Sequence, residues 1–156
     1  MKSKDKKIMS KYLNEYEFNK LKLKFVEKNE IKIFSTLCQD GIFSINEIIY
    51  NKSEKILIAT FSRFCWEFVG KKIKDETFYR VVSGIRICNV NKVTYTNKDK
   101  INSSKFINLL SVDYDKNQIT LNFSLDITIK LFIEKIEIYL DDLDMPWPTG
   151  KKPLHK

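Results

Sequence analysis

The stretch QITLNFS, residues 118–124, sets Ile119, Leu121 and Phe123 on one side of the chain and Thr120 and Asn122 on the other. That two-residue period is the mark of a strand with one dry and one wet face. Upstream, FINLLSVDY (106–114) is a second strand candidate, and downstream ITIKLFI (127–133) is a third. Asp115-Lys116-Asn117 and Leu125-Asp126 are short enough to be hairpin turns, so residues 106–133 form a three-strand antiparallel meander.

Working toward the N-terminus, Tyr79 to Ile87 and Lys92 to Thr96 have strand character, and polar breaks flank them. Ile42 to Tyr50 and Lys55 to Phe68 are rich in Ile, Phe and Tyr around the turn-like Asn51-Lys52-Ser53, which predicts a hairpin. Within it, RFCWEF (63–68) on a strand places Phe64, Trp66 and Phe68 on one face, read as core, and Arg63, Cys65 and Glu67 on the other. LKLKFVE (21–27) alternates as a first strand. Ile31, Phe34, Leu37 and Cys38 then follow at helical spacing between Asn29, a candidate N-cap, and Gly41, a candidate left-handed C-terminal residue, so a short helix is predicted over 29–40.

At the other end, Ile136, Tyr139, Leu140 and Leu143 fall on one helical face, with Glu137, Asp141 and Asp142 opposite. They predict a C-terminal amphipathic helix stopped by Pro146 and Pro148. The expected fold is therefore α+β: a mostly antiparallel sheet of about seven strands, arranged as a pleckstrin-homology-like barrel or an open sheet, with a short helix after strand one and a C-terminal helix. Residues 1–18 are read as a flexible basic arm and 19–156 as a single globular domain.

A chain of 156 residues that is 43% hydrophobic can bury a sufficient core without disulfides or metal. Its longest apolar runs fall far short of the ~18 residues of a membrane span. The lysine-rich N-terminus has no apolar core or cleavage site of a secretory signal, so a cytoplasmic location is expected. Cys38, Cys65 and Cys88 are widely spaced, each in an apolar segment, as buried reduced thiols would be.

The formal charge is +8, yet 25 lysines stand beside only three arginines, 20 isoleucines and 12 asparagines. That skew has the look of AT-rich coding and weakens a nucleic-acid reading of the charge. The distribution is blockwise: residues 1–32 and 68–105 are basic and residues 134–145 acidic, which suits either partner docking or solubility.

No phosphate-cradling glycine motif, nucleophile elbow or metalloprotease motif is present. The single histidine, His155, excludes any intrachain multi-histidine metal site. No cofactor is expected. The three arginines, Arg63, Arg80 and Arg86, are singled out because a planar two-point fork is something lysine cannot supply.

The run LKLKFVEKNEIKIFSTLCQDGIF, then SRFCWE, then FINLLSVDYDKNQITLNFSLDITIKLFIEKIEIYLDDLDMPW and a closing Pro153-x-His155 resembles a small bacterial family, domain-of-unknown-function family 2948, over about residues 20–156. Gln39-Asp40, Arg63-Phe64, Trp66-Glu67, Leu109-Leu110, Ile129 to Glu134, Leu140 to Leu143 and Trp147 carry the resemblance. This chain departs from its relatives by having Leu125-Asp126 where they have a glycine-rich turn. The resemblance implies no known activity, cofactor or catalytic residue.

The reading favoured by the sequence is a non-catalytic binding or adaptor module, in which Lys71, Lys72 and Lys74 with Arg80 and Arg86 contact an acidic protein, nucleic acid or another anion. The alternative is an enzyme or enzyme subunit with a pocket around Gln39, Asp40, Arg63 and Glu67. A second alternative is an RNA-associated protein.

Overall fold

The computed structural model describes residues 19–69, 77–99 and 106–154. The basic arm 1–18, Lys71, Lys72, Lys74 and His155 lie outside the described residues.

The meander is present as β6 (Phe106–Asp115), β7 (Gln118–Phe123) and β8 (Thr128–Ile133), with β5 (Val90–Thr96) paired to β8. Ahead of it run β1 (Lys22–Phe25), a 3-10 turn (Lys28–Glu30), α1 (Ile31–Cys38), β2 (Ile42–Asn51), β3 (Ile56–Phe64), a second 3-10 turn (Trp66–Phe68) and β4 (Phe78–Ile87). After it come β9 (Ile138–Asp142) and the short β10 (Trp147–Thr149).

All the strands belong to one antiparallel sheet in the order β1-β9-β4-β3-β2-β6-β7-β8-β5, with β10 on β4 beyond β9. Its ends, β1 and β5, are not paired with each other. Among the described residues the sheet is open and has ten strands, so the pleckstrin-homology-like barrel and the count of about seven are corrected.

The C-terminal helix is corrected too. Residues 138–142 are a strand between β1 and β4. Ile138, Leu140 and Asp142 are buried on one face while Tyr139 and Asp141 are half-buried on the other. A period of two was there in IEIYLDD beside the period of 3.6, and pairing on both edges decides between them. Pro148 is tolerated because β10 is a three-residue strand on an edge.

β2 and β6 pair only over Ile42–Ser44 and Phe106–Asn108, so the sheet folds over there and both halves share one core. Phe43 marks the join: it stacks on Phe61 of β3 at 4.3 Å and meets Phe123 of β7 edge-on at 5.3 Å. Phe25, Ile31, Phe34 and Cys38 pack α1 and β1 against the same cluster.

Two local details differ from expectation. Asn29 lies inside the opening 3-10 turn, and Glu30 does the capping, its Oε1 accepting from the backbone N–H groups of Val26 and Glu27 at 2.9 and 2.8 Å. The left-handed residue after α1 is Asp40, at φ 65°. Gly41 serves a different need: a Cβ there would lie 2.7 Å from a Phe61 ring carbon.

Candidate functional site

RFCWEF is a strand only as far as Phe64; Cys65 then leads into the 3-10 turn of Trp66–Phe68. The turn swings Glu67 back toward Arg63, whose side chain is fully buried. The Arg63 guanidinium donates from Nη1 and Nη2 to the two Glu67 oxygens at 2.9 and 2.8 Å. From Nε and Nη2 it donates to the two oxygens of Asp142 at 3.1 and 3.0 Å. Asp142 also accepts from Ser83 Oγ and from the Leu21 N–H at 2.9 Å.

One arginine thus holds two carboxylates, and Ser83 and Leu21 help carry the extra negative charge. Burial alone would lower the Arg63 pKa, but the hydrogen bond and charge of Glu67 and the hydrogen bond of Asp142 raise it above its ordinary value. The cluster ties β3, β4, β9 and the entry to β1 together. Asp142 is the member that the sequence reading missed, because it had been placed on the solvent face of a helix.

On the opposite face of β3 and β4, Arg80 reaches across the buried Phe64 ring, its guanidinium carbon 5.5 Å from the centroid. Nη1 donates to the backbone carbonyls of Ser62 at 3.0 Å and Asp40 at 3.2 Å, and Nη2 also donates to the Asp40 carbonyl at 3.2 Å. Burial pulls the Arg80 pKa below its ordinary value and the Asp40 charge opposes this. Beside it, the Trp66 indole N–H donates to the Gln39 carbonyl at 2.8 Å. Trp66 is half-buried rather than core; Phe64, beneath it at 4.5 Å, is wholly buried.

Gln39 and Asp40 therefore meet Trp66 and Arg80 on one side of the sheet, while Arg63 and Glu67 turn to the other. The four residues of the predicted pocket sit at one end of the sheet but do not converge on one surface.

Arg86 is exposed on β4 and lies over the Tyr139 ring at 4.3 Å, with Lys24 Nζ 5.5 Å from the same ring. These residues belong to a row that the strand registers define across five strands: Ile49, Ile58, Arg86, Tyr139 and Lys24. Ile49 and Ile58 are 53% and 45% exposed. Neither Arg86 nor Lys24 forms an ion pair with a described residue.

Cys38 and Cys65 are buried, and burial pushes both thiols far above the ordinary range. Among the described residues, no group of three or more His, Cys, Asp or Glu side chains could hold a metal ion. No helix among them is long and apolar enough to cross a membrane.

These features define a protein built on a mostly antiparallel sheet with one short α-helix, whose arginine-centred end joins β3, β4 and β9. The profile of the family described as protein of unknown function (DUF2948) matches residues 21–155, and the chain belongs to that family. No curated protein and no solved structure matches it.

Proposed function

We propose that the chain is a non-catalytic, cytoplasmic binding module that docks an acidic polypeptide on the outer face of its sheet. One observation carries this reading: the row Ile49, Ile58, Arg86, Tyr139 and Lys24, in which two cations share a tyrosine ring beside exposed isoleucines. Cations held on an aromatic face keep their charge available while their stems cover apolar surface. Exposed apolar side chains rimmed by charge are the chemistry of a docking surface.

The enzyme reading loses its main support because Arg63 and Glu67 are committed to each other and to Asp142. A guanidinium with both forks occupied has little left for substrate.

The test is a titration of isotope-labelled protein with a peptide of alternating Glu and Leu, followed by NMR. Saturable shifts at Ile58, Arg86 and Tyr139, weakened in the Lys24→Ala/Arg86→Ala variant, support the proposal. Absence of saturable shifts along this row overturns it. Tighter binding of single-stranded RNA to the same residues would replace it with the RNA-associated alternative.

A further inference from the structure

We infer that Arg80 is an anchoring site for a carboxylate on an incoming polypeptide. The polypeptide origin rests on the docking function above; the carboxylate site itself stands on the geometry of the guanidinium.

Arginine has five N–H donors in a fixed plane. The two on Nη1 point to the Ser62 and Asp40 carbonyls, and the inner one on Nη2 shares the Asp40 carbonyl. What remains is Nε–H and the outer Nη2–H, a parallel pair along one edge. Neither is used by a described residue. No buried side-chain nitrogen or oxygen among the described residues lacks a hydrogen-bond partner, so Nε, which has none among them, is not sealed from solvent.

The same edge of Arg63 shows what it is built to hold: there Nε and Nη2 grip the two oxygens of Asp142. Arg80 has the equivalent fork without the carboxylate, since it forms no ion pair with a described residue. Its hydrogen-bond partners are neutral carbonyls and the Ser62 hydroxyl, so the nearby Asp40 charge offsets that of the guanidinium without occupying the fork. A half-buried cation of this kind gains more from an anion than a solvated one does.

The surroundings favour a carboxylate on an aliphatic stem over a strongly hydrated dianion. The guanidinium lies over Phe64, which packs against Trp66 at 4.5 Å and Phe78 at 6.1 Å. The carbonyl contacts also fix the guanidinium plane before any ligand arrives, so little rotamer entropy is lost on binding.

With three arginines, the chain gives three Nε–Hε resonances. The experiment follows them by NMR in the wild-type protein during titration with N-acetylglutamate α-amide, whose one carboxylate is the side chain's, with N-acetylglutamine α-amide, which has none, and inorganic phosphate as separate arms. The expected result is a saturable shift of the Arg80 Nε resonance with N-acetylglutamate α-amide alone, with Arg63 unmoved.

Arg80→Lys, which loses the fork, should weaken N-acetylglutamate α-amide binding on the order of tenfold, the worth of one charge-assisted hydrogen bond. If that variant does not fold, the wild-type titration decides alone. An Arg80 response no larger or more saturable than that of Arg86, or saturation by phosphate and not by carboxylate, overturns the assignment. Saturation at Arg80 with no peptide binding along the Ile49–Lys24 row would overturn the docking function and leave the carboxylate site standing.

Discussion

Arg63 and Asp142 stand 79 positions apart in the chain and meet as a two-point pair, 3.1 and 3.0 Å across its two bonds, with both side chains sealed from solvent. The pair joins β3 to β9, two strands that are not neighbours, across β4, which lies between them. Glu67 closes the cluster from the 3-10 turn.

The first prediction concerns that fork. Arg63→Lys keeps the charge but can serve the two carboxylates only as a point donor. Removing one partner of a buried pair costs about 3–5 kcal/mol, and the lysine variant should cost less, about 1–3 kcal/mol, because charge remains. Urea unfolding measures it. A midpoint equal to wild type would show that the cluster contributes little to stability.

Phe64 and Trp66 separate core from cover. Phe64→Ala should cost about 3–5 kcal/mol, as truncation of a fully buried ring does. Trp66→Phe keeps most of the ring contact and loses the bond to the Gln39 carbonyl, for about 1 kcal/mol. The same unfolding assay ranks the two, and a larger loss at Trp66→Phe would contradict the half-buried placement of the indole.

Most of the strand layout was legible in the sequence because side-chain alternation survives wherever one face is wet, as in Gln118–Phe123. The C-terminal segment failed for an instructive reason. In IEIYLDD both periods fit, and only pairing with β1 and β4, which no local pattern reports, selects the strand. The same error hid Asp142, since a carboxylate on a supposed wet helix face gives no hint of a buried arginine. Alternation along RFCWEF groups Arg63 with Glu67 on one strand face, but their contact comes from the 3-10 turn of Trp66–Phe68, which that pattern does not report. That Arg80 and Arg63 would face opposite ways was not legible either, because it depends on the β3–β4 register, which pairs Arg63 with Val81 and Phe64 with Arg80 and which no local pattern reports.

Glu30 gives a pH signature. Backbone hydrogen bonds from Val26 and Glu27 hold its carboxyl below the usual value. A depressed folded-state pKa means that the stabilisation is present above the unfolded carboxylate range and is lost as pH falls through the folded value. NMR titration should therefore show the Val26 and Glu27 amides moving together with the Glu30 side chain, below the midpoint of an exposed glutamate. In Glu30→Gln that joint step should vanish, and its persistence would assign it to another group.

The thiols offer a test of the core. Burial raises Cys38 and Cys65 far above the ordinary thiol range, so neither presents a thiolate near neutral pH. With a thiol-specific disulfide reagent, both should react only as fast as the protein unfolds, and the rate should rise with urea. Prompt labelling of either in native buffer would show that α1 or the turn at Cys65 opens locally.

The last prediction pairs two turn positions that the sequence alone ranks wrongly. Gly41 was expected to be needed for a left-handed backbone, but that conformation falls on Asp40, and Gly41 is needed for space. A Cβ at Gly41 would sit 2.7 and 2.9 Å from Phe61 ring carbons and 3.0 Å from the Cys38 carbonyl oxygen. Phe61 cannot yield easily, since it is stacked on Phe43. Gly41→Ala should therefore cost about 1–3 kcal/mol, the range of overpacking. Leu125 is the reverse case: it is exposed and held at φ 61° beside Asp126 at 57°, a conformation that costs a side chain about 1–2 kcal/mol and glycine almost nothing. After the extra backbone entropy lost by glycine, Leu125→Gly should stabilise the protein by about 0.5–1 kcal/mol. Thermal unfolding of the two variants gives opposite signs if the two positions are constrained by contact and by conformation respectively. Destabilisation by both would mean that Leu125 makes an apolar contact worth more than the strain of its turn.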